Sequence, residues 1–176
     1  MKKIKLLAAH LLVFWALALV LLLTLTSCAS EEEIASAPTA APTSIFEEIK
    51  LPVHAKGAGR VGSLEFVLVY DPAVLEATKV EKGALAGNAM MEFSVKTPGR
   101  VWVGMIDAQG MSGDGPLAIV FFRVVGKGEV ITPLTPEDIE AYDAETLLDI
   151  ITEASPGNIA VEDRSFIAPV IAFAGE

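Results

Sequence analysis

Side chains that do chemistry are scarce in this chain: one cysteine and two histidines among 176 residues. A single thiol closes no intrachain disulfide and completes no zinc site or catalytic dyad, so stability has to come from an apolar core. Basic residues are also few, 13 Lys and Arg against 23 Asp and Glu. Nucleic acid is thereby excluded as a partner, because phosphates demand Lys and Arg. No Gly-x-Ser-x-Gly elbow is present, and His54 sits on a strand pattern with no acid paired to it nearby in sequence. Acids are too plentiful for any pair to stand out as a glycosidase dyad. The segment "DAQGMSGDG" (Asp107–Gly115) holds two acids among glycines but lacks the alternate oxygen ligands and distal Glu of an EF-hand. The chain is therefore expected to be no enzyme and to need no metal or cofactor.

What is present begins with a leader. "MKKIK" is a basic head, "LLAAHLLVFWALALVLLLTLT" is almost wholly apolar, and "LTSC" ends at Cys28. That order is the order of a secretory signal, and "LTSC" resembles the bacterial lipobox, whose cysteine receives a diacylglycerol. The alternative is an uncleaved span, for which the apolar run is long enough. Either reading puts the rest of the chain outside the cytoplasm and ties it to a membrane. Removing residues 1–27 takes away three lysines and no acid, which leaves ten bases against 23 acids and a formal charge of −13. So acidic a surface avoids anionic headgroups, and the membrane link is expected to be the lipid on Cys28. Residues 28–45 read as a disordered tether. Its stretch "ASEEEIASAPTAAPTS" has almost nothing to bury, and at about 3.3 Å per residue it reaches roughly 50 Å.

From residue 46 the pattern changes to a period of two. "IKLPVHA", "SLEFVLVY", "AVLEATKVEKG", "MMEFSVK", "RVWVGMI", "PLAIVFFRVVG" and "GNIAVED" read as strands, separated by "KGAGR", "YDP", "AGN", "TPGR", "SGDGP" and "SPGN". Short strands without intervening helices indicate an all-β sandwich. "PLAIVFFRVV" has the unbroken apolar character of a central strand covered on both faces. Thr135–Ala154 stays ambiguous: its Thr-Pro-acid start suits a helix, yet it also reads as strand, turn and strand with "DAET" at the bend.

"GSLEFVLVYDPAVLEATKVEKGAL" resembles the signature of cohesin domains, and "SGDGPLAIVFFRVVG" and "PGNIAVED" resemble later landmarks of that family. The resemblance spans about residues 46–163, which sets the domain at 46–164, and it implies a nine-stranded jelly-roll β-sandwich. It also implies a function: cohesins bind dockerins, calcium-loaded helical modules of secreted enzymes, on one flat sheet face. Tyr70, Asp71 and Pro72 are read as structural, the ring on the sheet face and the proline stopping the strand. The family's contacting Asn-x-Asp corresponds here to Ser63 and Glu65. A second contact strand would offer Thr97, Arg100, Trp102, Ile106 and Gln109. Trp102 is either a core filler or, if exposed, an interface anchor. Residues 165–176 form an apolar extension expected to cover an edge or core left open by a short first strand. Direct polysaccharide binding, as in sugar-binding modules of like architecture, and a general envelope scaffold remain the alternatives to dockerin binding.

Overall fold

The computed structural model describes residues 48–127 and 130–174, and these contain nine strands and no helix. The leader, Cys28 and the tether to residue 45 lie outside the described residues. In chain order the strands are β1 (Ile49–Val69), β2 (Leu75–Lys82), β3 (Met90–Ser94), β4 (Arg100–Val124) and β5 (Ile131–Asp143). Four short ones follow: β6 (Thr152–Ser155), β7 (Gly157–Ala160), β8 (Phe166–Ile167) and β9 (Val170–Phe173).

Strand alternation decides which side chains turn inward. In "IKLPVHA" Ile49, Leu51, Val53 and Ala55 are buried, while Lys50, Pro52 and His54 point away. Two pairs of expected strands are each a single strand. "KGAGR" and "SGDGP" do not end β1 or β4; they bend them, with register shifts between Ala55 and Ser63 where the two strands pair. Gly110 shows why glycine is needed at the bend. Its φ is +81°, and a Cβ there would lie 2.7 Å from the Arg60 side chain. Asp114 supports the same corner by accepting a hydrogen bond from the Gly57 amide at 2.6 Å.

Because both long strands bend together, they contribute to both layers of a β-sandwich of jelly-roll type. In one layer β2, the C-terminal half of β4 and the N-terminal half of β1 are neighbours, and β1 continues to β9 and β6. In the other, β3, the N-terminal half of β4, the C-terminal half of β1 and β5 are neighbours. Pairing is antiparallel except between β1 and β9, which run parallel. The start of β5 carries β7, and β7 carries β8. Within the C-terminal extension β8 is thus an edge strand, whereas β9 is interior, between β1 and β6, with Ile171 and Phe173 in the core. The inner faces meet in one apolar cluster that includes Leu51, Phe66, Leu68, Leu75, Val103 and Phe122.

Thr135–Ala154 resolves as strand and turn. Asp143 accepts hydrogen bonds from the amides of Glu145 and Thr146 and from the Thr146 hydroxyl, which turns the chain at "DAET". At Tyr-Asp-Pro the Asp71 carboxylate accepts from the Ala73 amide at 2.8 Å. The Tyr70 ring does not lie on an outer face: it is buried edge-on against Phe122, centroids 5.1 Å apart, with its hydroxyl at the Ala77 amide. "PLAIVFFRVV" is central, between β1 and β2, but among the described residues no second layer of strands covers its outer side.

Candidate functional site

Where β3, β4, β1 and β5 lie side by side, side chains of one parity enter the core. Leu64, Phe66, Val101, Val103 and Met105 do so. The other parity leaves the sheet outward and forms cross-strand rungs. The first rung is Met90, Ile106, Ser63 and Tyr142; the second is Glu92, Gly104, Glu65 and Glu140; the third is Ser94, Trp102, Val67 and Glu137.

Trp102 is half-buried on this outer face and so is not a core filler. Its indole lies along β4 over Gly104, where an added Cβ would come within 2.9 Å of the ring. Only a residue without a side chain leaves room for that placement. The indole N–H donates to the Glu65 carboxylate at 2.6 Å, which fixes the ring flat against the sheet. Beside it Val67 is only 8% exposed although it faces outward. Beyond the ring Met90 is 73% exposed and Ile106 57%, an unusual state for large apolar side chains on adjacent strands. Ser63, Glu65, Met90, Trp102, Ile106 and Tyr142 line a shallow concavity of about 350 Å³. At the far end Arg100 donates to Asp138 at 2.8 Å and lies 3.8 Å from Glu137.

The structure therefore brings Ser63, Glu65, Arg100, Trp102 and Ile106 onto one face. Thr97 and Gln109 lie at opposite ends of that stretch of β4 and outside the rungs. The Thr97 carbonyl accepts from the Arg100 amide in the β3–β4 turn, and the Gln109 amide donates to Asp107 past the register break. Sequence reasoning missed Met90, Glu92, Glu140 and Tyr142. The parity of "MMEFSVK" carried a signal for the first two; the second two sat in the segment whose structure was ambiguous. Among the described residues no group of three or more His, Cys, Asp or Glu side chains could hold a metal ion. Asp107 and Asp114 of the glycine-rich segment instead accept backbone hydrogen bonds.

Away from this face, the sandwich has a second charged cluster at the end of β5. Arg60 grips Asp143 with two nitrogens, at 2.9 and 3.1 Å, and also reaches Glu145. The Arg60 guanidinium, helped by the Thr146 and Glu145 amides, holds the Asp143 carboxyl well below the usual carboxylate range.

The family model for the cohesin domain matches residues 46–161. Among solved structures the chain is similar to a non-cellulosomal cohesin from the hyperthermophilic archaeon Archaeoglobus fulgidus. The two are 28% identical with a TM-score of 0.51 over 73% of this chain and 81% of that one. It shares its fold with the sixth cohesin of Acetivibrio cellulolyticus scaffoldin B, solved in complex with a Cel5 dockerin mutant. There the identity is 18% and the TM-score 0.59, over 66% of this chain and 90% of that one. It also shares the fold of a type I cohesin–dockerin complex from Clostridium thermocellum, at 14% identity and a TM-score of 0.54 over 73% of this chain and 89% of that one. No curated protein matches the chain.

Proposed function

The chain belongs to the cohesin domain family, and we propose that it is a non-catalytic docking module whose β3–β4–β1–β5 face captures a dockerin-bearing secreted protein. One observation carries the reading: exposed Met90 and Ile106 stand beside an indole that is pinned flat by Glu65. Aromatic side chains held rigid at the centre of an apolar patch are the usual anchors of protein interfaces, because they lose little entropy when covered. Ser63, Glu65 and Arg100 supply polar contacts around that anchor. Two of the similar structures are cohesins with a dockerin bound, which supports the same assignment.

The proposal extends to location. A diacylglycerol on Cys28 would anchor the chain outside the cytoplasm, and the acidic tether would hold the docking face clear of the lipid. Loss of lipid labelling in Cys28→Ala, with release of the chain from the membrane, is the expected result; retained labelling would place the anchor elsewhere.

Calorimetric titration of the full chain in detergent with a calcium-loaded dockerin tests the docking reading. Glu65→Lys reverses a charge at the centre of the face and breaks the indole bond, and it is expected to weaken binding by about 1–3 kcal/mol. Undiminished affinity would remove Glu65 from the interface. Retention on cellulose or chitin, with no heat on adding dockerin, would replace protein docking by polysaccharide binding.

A further inference from the structure

The middle rung of the face sets carboxylates against one another. Glu65 on β1 stands directly opposite Glu140 on β5, and Glu92 on β3 joins the same rung across Gly104. Side chains directly opposed on neighbouring strands have Cβ atoms about 5 Å apart, and like charges there destabilise a sheet. Six acids elsewhere on the strands and at their ends are matched with bases: Glu76 with Arg123, Glu81 with Lys79, Asp143 and Glu145 with Arg60, Glu137 and Asp138 with Arg100. The side chains of Glu92 and Glu140 make no hydrogen bond or ion pair among the described residues, although their backbones join the ladder. Glu65 holds only the Trp102 N–H, a donor without formal charge. Three carboxylates thus share one rung with no cation paired to them among the described residues.

The neighbouring rung is apolar, with Met90, Ile106 and Tyr142. Two residues along a strand separate the rungs, about 7 Å. On a helix lying along the strands, side chains one turn apart are spaced about 5–6 Å. The two rungs therefore suit two side chains on adjacent turns of one helix.

We propose, resting on the docking function above, that this face selects its partner by charge. The partner helix presents a Lys or Arg one turn from an apolar side chain. The cation sits on the Glu92–Glu65–Glu140 rung, and the apolar group sits against Met90 and Ile106. In the free protein the acidic rung is a standing repulsion, and the partner's cation relieves it. Charge of this kind adds specificity and on-rate, and it weakens with salt.

The test uses the full chain in detergent and two calcium-loaded dockerins. One has exposed Lys or Arg on its docking helix; in the other these are changed to Gln. The basic module is expected to bind roughly tenfold or more tightly at low salt, with the advantage shrinking at high salt. The double variant Glu92→Gln, Glu140→Gln is expected to remove the difference between the modules. Without any partner it is expected to melt above the parent at low salt and level with it at high salt. Equal affinities for the two modules, insensitive to salt, overturn the charge selection while docking itself stands. A double variant that melts no higher than the parent at low salt overturns the repulsion from which the proposal starts. Failure of both modules to bind the parent overturns the docking function and the charge selection together.

Discussion

β1 and β4 build both outer faces of the sandwich, and the two faces are finished differently. In the layer that contains β2, Phe121 points outward from β4, yet it is only 5% exposed. The ammonium groups of Lys50 and Lys79 lie over its ring, each 5.3 Å from the centroid. Around it Lys79 pairs with Glu81 and Arg123 with Glu76. The layer that contains β3 and β5 also has an aromatic ring on β4, but Trp102 meets a carboxylate rather than a cation. Apolar Met90 and Ile106 beside it stay open, and Glu92 and Glu140 stay unmatched. A face sealed by its own mixed charges needs no partner. A face with a fixed ring, open apolar groups and an unmatched acidic rung is the one to which the proposed docking assigns a partner.

The contrast can be broken at its root through the core that both faces share. Phe122→Ala removes a fully buried ring and its edge contact with Tyr70, at an expected cost of about 3–5 kcal/mol. Urea unfolding should show the loss, and both faces should fail together; an unchanged midpoint would mean that the layers do not depend on a common core. Trp102→Ala should separate the faces. Dockerin affinity is expected to fall by about 2 kcal/mol or more, roughly thirtyfold, since the proposed docking makes the ring its anchor. The unfolding midpoint should move much less, since the ring lies on the outer face and not in the core; equal losses in both measurements would make Trp102 a structural residue.

On the sealed face Lys50→Ala should do the opposite. Stability is expected to drop by about 0.5–1 kcal/mol as Phe121 loses one of its cations, with dockerin affinity unchanged. A fall in affinity would bring that face into the interface. The smallest effect concerns acid. Asp143 titrates below its ordinary value because Arg60 holds it. Its contribution is therefore present above the unfolded carboxylate value, about pH 4, and is lost as pH falls from there. Melting curves of the parent should decline on acidification below about pH 4, and those of Asp143→Asn should decline less. Parallel declines would show that the Arg60 grip adds nothing.

Much of this was legible locally. The alternation in "SLEFVLVY" and "RVWVGMI" separates Leu64 and Phe66 from Ser63 and Glu65, and Val101 and Val103 from Arg100 and Trp102, before any pairing is known. Less legible were the corners. "KGAGR" and "SGDGP" have the composition of turns, but β1 and β4 bend there in step and keep pairing, so each remains one strand. Trp102 was undecided because its placement depends on Gly104 two residues on and on Glu65 from another strand. β5 was undecided because local helix propensity competed with pairing to β1, and pairing won.

The amino-acid sequence by itself determined which side chains leave each strand on the same side, since a two-residue period belongs to the extended backbone and needs no neighbour. Tertiary structure alone decided which of those sides meet. Glu140 faces Glu65, and Met90 faces Ile106, because strands far apart in the chain pair in one register. Register is set by the packing of the opposite, buried parity against a common core, and no single strand contains that information.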